Sequence, residues 1–211
     1  LSNRTPVKAE DLASRLGCCI TVDNATVAQH SQFIFLGVKP QMMPGLLAQL
    51  APILKKRTDR VVLITMAAGL TTDQISHMAG GSYPIIRIMP NTPVSIGEGI
   101  ILYTSTPEVS KEELAAFLDA LADAGTLDSL PEALIDAGSA LSGCGPAFIY
   151  QFIEALADGG VECGLPREKA LKYAAQTVAG SAKLMLSSGR HPAALKDAVC
   201  SPGGSTIAGV H

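Results

Sequence analysis

Three apolar runs constrain this chain more than any other feature: the unbroken Phe33-Ile34-Phe35-Leu36-Gly37-Val38, the stretch from Arg60 to Thr65, and Ile85-Ile86-Arg87-Ile88-Met89. A strand that is apolar at nearly every position must be covered on both faces. Alternation of such strands with helices therefore predicts a parallel, doubly wound α/β sheet. The intervening stretches read as helices: a short one from Asp23 or Asn24 to His30, one from about Met43 to Leu54, and one started by a Thr71/Gln74 capping box. Ahead of them, Lys8 to Leu16 reads as a helix stopped by Gly17, and Ile20-Thr21-Val22 as a short strand. Gly97 to Tyr103 reads as one further strand, and Ser110 with Glu113 as the capping box of a helix through Leu121.

Beyond Gly125 the pattern becomes helical, so the chain divides into an α/β domain over residues 1–128 and an all-helical domain over 129–211. Pro146 opens a helix from Ala147 to Val161. Its residues Phe148, Ile149, Phe152, Ile153, Leu156 and Val161 occupy more than one face, as expected of a helix buried on several sides. A second helix runs to about Leu186 and carries Ala174, Ala175, Ala179 and Ala182; His191-Pro192 starts a third from Ala193 to Val199. The 211 residues are 47% hydrophobic but only 4% aromatic, so the core is aliphatic and rich in alanine. A mean hydropathy of +0.30 points to apolar faces buried between subunits. No apolar stretch approaches the ~18 residues needed to cross a bilayer, and no signal-peptide pattern is present, so a soluble cytoplasmic protein is expected. A net charge of −3 without Lys/Arg runs gives no footprint for nucleic acid or anionic membrane.

Candidate site residues lie at strand ends and near the C-terminus. Ligands of doubly wound sheets bind outside the carboxyl ends of the strands, where Gly37-Val38-Lys39-Pro40, Met66-Ala67-Ala68-Gly69 and Met89-Pro90-Asn91-Thr92-Pro93 fall. Lys39 there either reaches a phosphate or polar substrate or sits in water. A Gly-x-Gly-x-x-Gly fingerprint is absent. If the sheet begins at its second strand, that strand ends at Leu1-Ser2-Asn3-Arg4, against the adenosine ribose; with no acid there, NADP is favoured over NAD. Cys200-Ser201-Pro202-Gly203-Gly204-Ser205-Thr206 reads as a tight turn into a helix N-terminus. Such a turn is either a capping connection with a Ser/Thr cap or a cradle of backbone amides for a small carboxylate or phosphate.

Other polar groups carry less. The histidines His30, His77, His191 and His211 are scattered, and no nucleophile, base and orienter set emerges. Glu154 and Asp158 share a helix face but lack further ligands, and the five cysteines match no metal template, so no metal is expected. Cys200, beside a helix N-terminus, is the thiol placed for reactivity.

Five segments together carry a resemblance: Phe-Leu-Gly-Val-Lys-Pro (35–40), Met-Ala-Ala-Gly (66–69), Arg-Ile-Met-Pro-Asn-Thr-Pro (87–93), Leu-Ser-Gly-Cys-Gly-Pro-Ala (141–147), and His-Pro-x-x-Leu-Lys-Asp-x-Val-Cys-Ser-Pro-Gly-Gly-Ser-Thr (191–206). In order and over the whole chain they resemble pyrroline-5-carboxylate reductase, the last being the most specific. The resemblance implies a Rossmann-like domain, a helical C-terminal domain that builds an interlocked homodimer or higher homo-oligomer, and NAD(P)H-dependent reduction of 1-pyrroline-5-carboxylate to L-proline. Relative to that family the chain is similar to a fragment lacking the first strand, glycine loop and helix, and the last helices. Residue by residue, it implies that Ser2 and Arg4 lie near the adenosine phosphate of NADPH, or NADH. Asn24, Gly37, Val38, Lys39, Pro40, Ala67, Ala68 and Gly69 would line the cofactor, and Asn91 would sit near its nicotinamide. Ser201, Gly203, Gly204, Ser205 and Thr206 would hold the substrate carboxylate, with the catalytic Thr206 hydroxyl near the ring nitrogen. Two other readings stand beside it. A different imine or β-hydroxyacid reductase would need a lysine on the central helix, and 147–163 contain none. A non-catalytic helical dimerisation module would need no cofactor.

Overall fold

The apolar runs become three adjacent parallel strands, β1 (Phe33–Leu36), β2 (Val62–Thr65) and β3 (Ile85–Pro90), in a computed structural model that describes residues 1–3 and 5–211. Two more strands, β4 (Gly99–Ser105) and β5 (Gly125–Ser129), complete a five-stranded sheet in the order β1-β2-β3-β4-β5. Four helices precede β3: α1 (Pro6–Leu16), α2 (Asn24–His30), α3 (Met43–Leu54) and α4 (Thr72–Ala79). Asp23 is the cap of α2, accepting from the Ala25 amide, and α4 begins with the expected Thr71/Gln74 capping box. The expected strand at Ile20–Val22 is reduced to one parallel bridge between Ser2 and Thr21.

One pairing departs from a uniformly parallel sheet: β4 runs antiparallel to β3, and β5 parallel to β4. Eight residues containing a single 3-10 turn, Thr92–Ile96, join β3 to β4, too few for the crossover that a parallel pairing demands. β5 was not foreseen because Gly125-Thr-Leu-Asp-Ser carries one large apolar side chain and pairs on one side only.

Alternation along the strands sorts the core into two faces. Ile34, Leu36, Leu63 and Ile85 pack with Met43, Leu47, Leu50 and Leu54 of α3 and Ile75 of α4. Val62, Ile64, Ile86 and Ile88 pack on the other face with Phe117 of α5 (Lys111–Ala120), which starts with the Ser110/Glu113 capping box. Glu113 also pairs with Arg60 at 2.8 Å, which fastens the α5 N-terminus beside the start of β2. At the β1 edge cover is partial, and Phe35 is half exposed.

The chain divides into two compact units, Leu1–Pro146 and Ala147–His211. The division falls later than the expected 128/129 because α6 (Glu132–Ser142) packs on the sheet, with Ile135 buried against Met89 and Leu102. The second unit contains α7 (Gly145–Glu162), α8 (Arg167–Ser188), α9 (Pro192–Ala198) and α10 (Ser205–Val210). Its buried core is Ala157, Ala170 and Ala174, flanked by Ile153 and Val161. Phe148, Ile149, Tyr150, Phe152, Leu156, Tyr173, Leu184 and Leu186 are exposed. The burial on several sides expected of α7 is thus not met within one chain: Ile153 and Val161 pack on the alanine core, whereas Phe148, Ile149, Phe152 and Leu156 are exposed.

Candidate functional site

In the first unit the parallel register sets the ends of β1 and β2 side by side, Leu36 opposite Thr65, with β3 next in line. The segments 37–40 and 66–69 and the stretch that begins at Asn91 therefore follow neighbouring strands at one end of the sheet. Thr65 is fully buried, and its hydroxyl accepts from the Ala67 amide at 3.3 Å, turning the chain as it leaves β2. Ala67 is buried, whereas Ala68 and Gly69 are exposed. Gly69 has φ +72°, the left-handed region that glycine enters without strain, so the tip of this turn presents bare backbone.

Ser2, Asn24 and Val38 converge on a cleft of about 380 Å³, completed by Val22, Met42, Gly45, Leu46 and Gln49. The Ser2 hydroxyl donates to Asn24 Oδ1 at 2.8 Å, and Asn24 Nδ2 donates to Gln49 Oε1 at 3.3 Å. Apolar walls with a short polar rail suit a flat heterocycle with a hydroxylated sugar at its edge. Gly37 is exposed, and a Cβ built there meets nothing within 4 Å, which leaves room beside the β1 end. Lys39 is exposed and precedes a 3-10 turn begun by Pro40, so its ammonium lies in water within reach of an anion. Arg4 lies outside the described residues. Gln49, Met42 and Leu46 were not anticipated; on an amphipathic helix their pattern resembles that of any packed face.

Asn91 is a brace. Its Nδ2 donates to the Ser142 carbonyl at 3.1 Å and its Oδ1 accepts from the Ile100 amide at 3.0 Å, joining the end of β3 to β4 and to the last turn of α6.

In the second unit, His191 Nδ1 accepts from the Ala193 amide and caps α9, which leads to the Gly-rich turn. The Gly204 amide donates to the Ser201 carbonyl at 3.0 Å, and Gly203 has φ +69°. Pro at the second and glycine with positive φ at the third position are the hallmarks of a type II turn. Gly204 then heads α10 with no side-chain cap, so the expected Ser/Thr cap is not formed. The turn ahead of α10 is open to solvent: Ser201, Gly203, Ser205 and Thr206 are all exposed. Orphan amides at a helix start, with hydroxyls around them, suit a carboxylate. In α7, Asp158 pairs with Arg167, so it is not free to join Glu154 at a metal. Cys200 is partly buried at the start of the turn.

Comparison with known proteins finds relatives for both ends of the chain. Residues 132–211 match the family model described as pyrroline-5-carboxylate reductase dimerisation, and residues 1–69 match one described as NADP oxidoreductase, coenzyme F420-dependent. Pyrroline-5-carboxylate reductase of Methanosarcina acetivorans is 39% identical over 202 residues, spanning 96% of this chain and 74% of that protein. Among solved structures, pyrroline carboxylate reductase of Plasmodium falciparum with NADP bound superposes with a TM-score of 0.82 at 34% identity, covering 90% of this chain and 71% of the other. The Coxiella burnetii pyrroline-5-carboxylate reductase gives 0.88 at 30% identity, covering 99% and 77%. Fold and matches together define a nicotinamide-dependent oxidoreductase with a Rossmann-like sheet and a helical C-terminal part. Within that class, the chain belongs to the pyrroline-5-carboxylate reductase family. No helix among the described residues is long and apolar enough to cross a membrane.

Proposed function

We propose that the protein reduces the C=N bond of 1-pyrroline-5-carboxylate to give L-proline, the last step of proline synthesis, in the cytoplasm and as a homodimer or higher homo-oligomer. NADPH is the preferred donor, because no acid stands at the chain start to select a free ribose 2′-hydroxyl, while Ser2 and Asn3 suit a 2′-phosphate. Ser2, Asn24, the 37–40 turn and the Ala67–Gly69 turn hold the cofactor, and Asn91 stands by its nicotinamide end. When bound, the nicotinamide would supply the hydride that adds to the imine carbon, C2 of the pyrroline ring and C5 of the proline it becomes.

The observation that carries the substrate reading is the uncapped start of α10. A ring carboxylate accepts from the amides that follow Gly204, with Ser201 and Ser205 hydroxyls as further donors. Gly203 keeps the turn in the form that presents them. The Thr206 hydroxyl hydrogen-bonds the ring nitrogen, whose protonation already makes the imine carbon electrophilic, so no separate acid/base pair is required. The exposed aromatic and aliphatic residues of α7 and α8 support association through the helical part, since a monomer rarely leaves so much apolar surface in water.

The test is oxidation of NADPH, followed at 340 nm, by the complete protein with 1-pyrroline-5-carboxylate. Proline formation at a rate dependent on both substrates is expected. NADPH binding without imine-dependent turnover would refute the substrate assignment and favour another reductase of the same plan.

A further inference from the structure

The first unit contains a buried cation that the functional reading leaves unused. Arg87 lies on β3 between Ile85, which joins the α3/α4 core, and Met89, which joins the α6 core, and it is 1% exposed. Its guanidinium donates to Asp136 and, at 3.4 Å, to Glu132, one turn apart on α6; its Nε has no partner. Such an arrangement contributes little to stability, because the desolvation cost of the charge rivals its Coulombic return and an apolar side chain would pack as well.

Glu132 makes its shorter bonds elsewhere. Its two carboxylate oxygens accept from the Thr72 amide at 2.7 Å and the Thr72 hydroxyl at 2.8 Å. Thr72 is buried and is the first residue of α4, two residues after the Met66–Leu70 turn ends. Glu132 therefore supplies a helix-start carboxylate from a different helix, in addition to the local Thr71/Gln74 box. The 66–70 turn is thereby fastened at both ends, by the Thr65 hydroxyl at its start and by Glu132 beyond its finish. Behind Glu132, Arg87 holds the carboxylate in place. Four residues along β3, Asn91 grips the far end of the same α6 through Ser142.

We propose that Arg87 and Glu132 are positioning residues for the cofactor site: buried Arg87 and partly exposed Glu132 together fix α6 against α4 so that the Ala67–Gly69 backbone is presented in one conformation. This rests on the assignment of that turn to the cofactor. It separates cofactor affinity from fold stability, because the two substitutions act oppositely on stability. In Arg87→Met the charge leaves an apolar setting, and Glu132 and Asp136, which are 30% and 65% exposed, can hydrate. In Glu132→Ala, by contrast, the buried cation keeps only Asp136. Glu132→Gln retains a carbonyl for the Thr72 amide.

The experiment measures NADPH Kd by isothermal titration, Tm, and kcat at saturating cofactor in the complete protein. Glu132→Ala should weaken NADPH binding by about tenfold, the scale of losing a charge-assisted hydrogen bond, with kcat held within about threefold. Glu132→Gln should recover most of that affinity. Arg87→Met should keep or raise Tm and still weaken NADPH binding. Affinity equal to wild type in Arg87→Met, or affinity that simply follows Tm across the three variants, would overturn the positioning role. A wild-type protein that binds NADPH but leaves the imine unreduced would overturn the substrate assignment alone.

Discussion

Replacing Gly203 by alanine isolates the contribution of one backbone conformation to substrate binding. The residue sits at φ +69° in the Ser201–Gly204 turn, and a Cβ built there meets no atom within 4 Å. Sterics are therefore silent, and the whole effect is the backbone penalty, about 1–2 kcal/mol for an L-residue in the left-handed region. The turn is exposed, so the strained variant relaxes by flipping the Pro202–Gly203 peptide, which re-aims the amides ahead of α10. Holding the functional turn then costs about 1–2 kcal/mol, or roughly 5- to 30-fold in kcat/KM for 1-pyrroline-5-carboxylate. Asparagine, which tolerates this region, should fall between glycine and alanine. Gly204 is the control: its φ of −78° is ordinary, but an added Cβ lies 2.5 Å from Ser201 Oγ. Gly204→Ala should thus act by turning the Ser201 hydroxyl aside, and Gly204→Val should abolish substrate binding. Steady-state kinetics with NADPH saturating make the comparison. If Gly203→Ala has wild-type kcat/KM while Gly203→Asn does not, backbone conformation is not what glycine contributes there.

Three further outcomes are expected. Thr206→Ala should lower kcat by the equivalent of about 2–3 kcal/mol, the scale of one preorganised donor, without changing NADPH affinity; unchanged kcat/KM would remove the hydroxyl from the chemistry. Hydrogen bonding and charge from Arg60 hold the Glu113 carboxyl below its usual range, so this pair adds stability above the ordinary glutamate pKa and loses it as pH falls through the depressed value. Glu113→Gln should accordingly lower Tm at pH 7 and converge with wild type in acid, where the wild-type side chain is also neutral. Phe152→Glu, at a position 54% exposed in one chain, should shift sedimentation toward a smaller species if α7 lies between subunits.

Local signals in the chain foretold local structure. The two capping boxes, the Gly17 stop and the Met43–Leu54 helix all rest on neighbouring residues, and all formed. The apolar runs identified β1 to β3 and their parallel pairing; the antiparallel direction of β4 follows from the short 91–98 link, which the apolar pattern does not report. β5 has no amphipathic pattern to read. The residues of the first unit that bear on the candidate site divide in the same way. Asn24 and the strand-end glycines stand at turns, whereas Gln49 meets Asn24 across 25 residues and Glu132 meets Thr72 across 60. Pairings over such distances leave no trace in spacing, and Arg87 inside an apolar run shows only that a charge is buried, not what answers it.

The alanine core of the second unit ties folding to abundance. Three buried alanines release little apolar surface from water, at about 25 cal/mol per Å², against the entropy of ordering four helices. Burial of Phe148, Phe152 and their neighbours by another copy would supply the remainder. A helical half completed in that way would melt as a bimolecular unit: dilution would lower its melting temperature, while the sheet, which packs on helices of its own chain, would keep the same one. A freshly made chain would then carry a sheet already packed on its own helices and a C-terminal half whose apolar side chains stay in water until it meets its match.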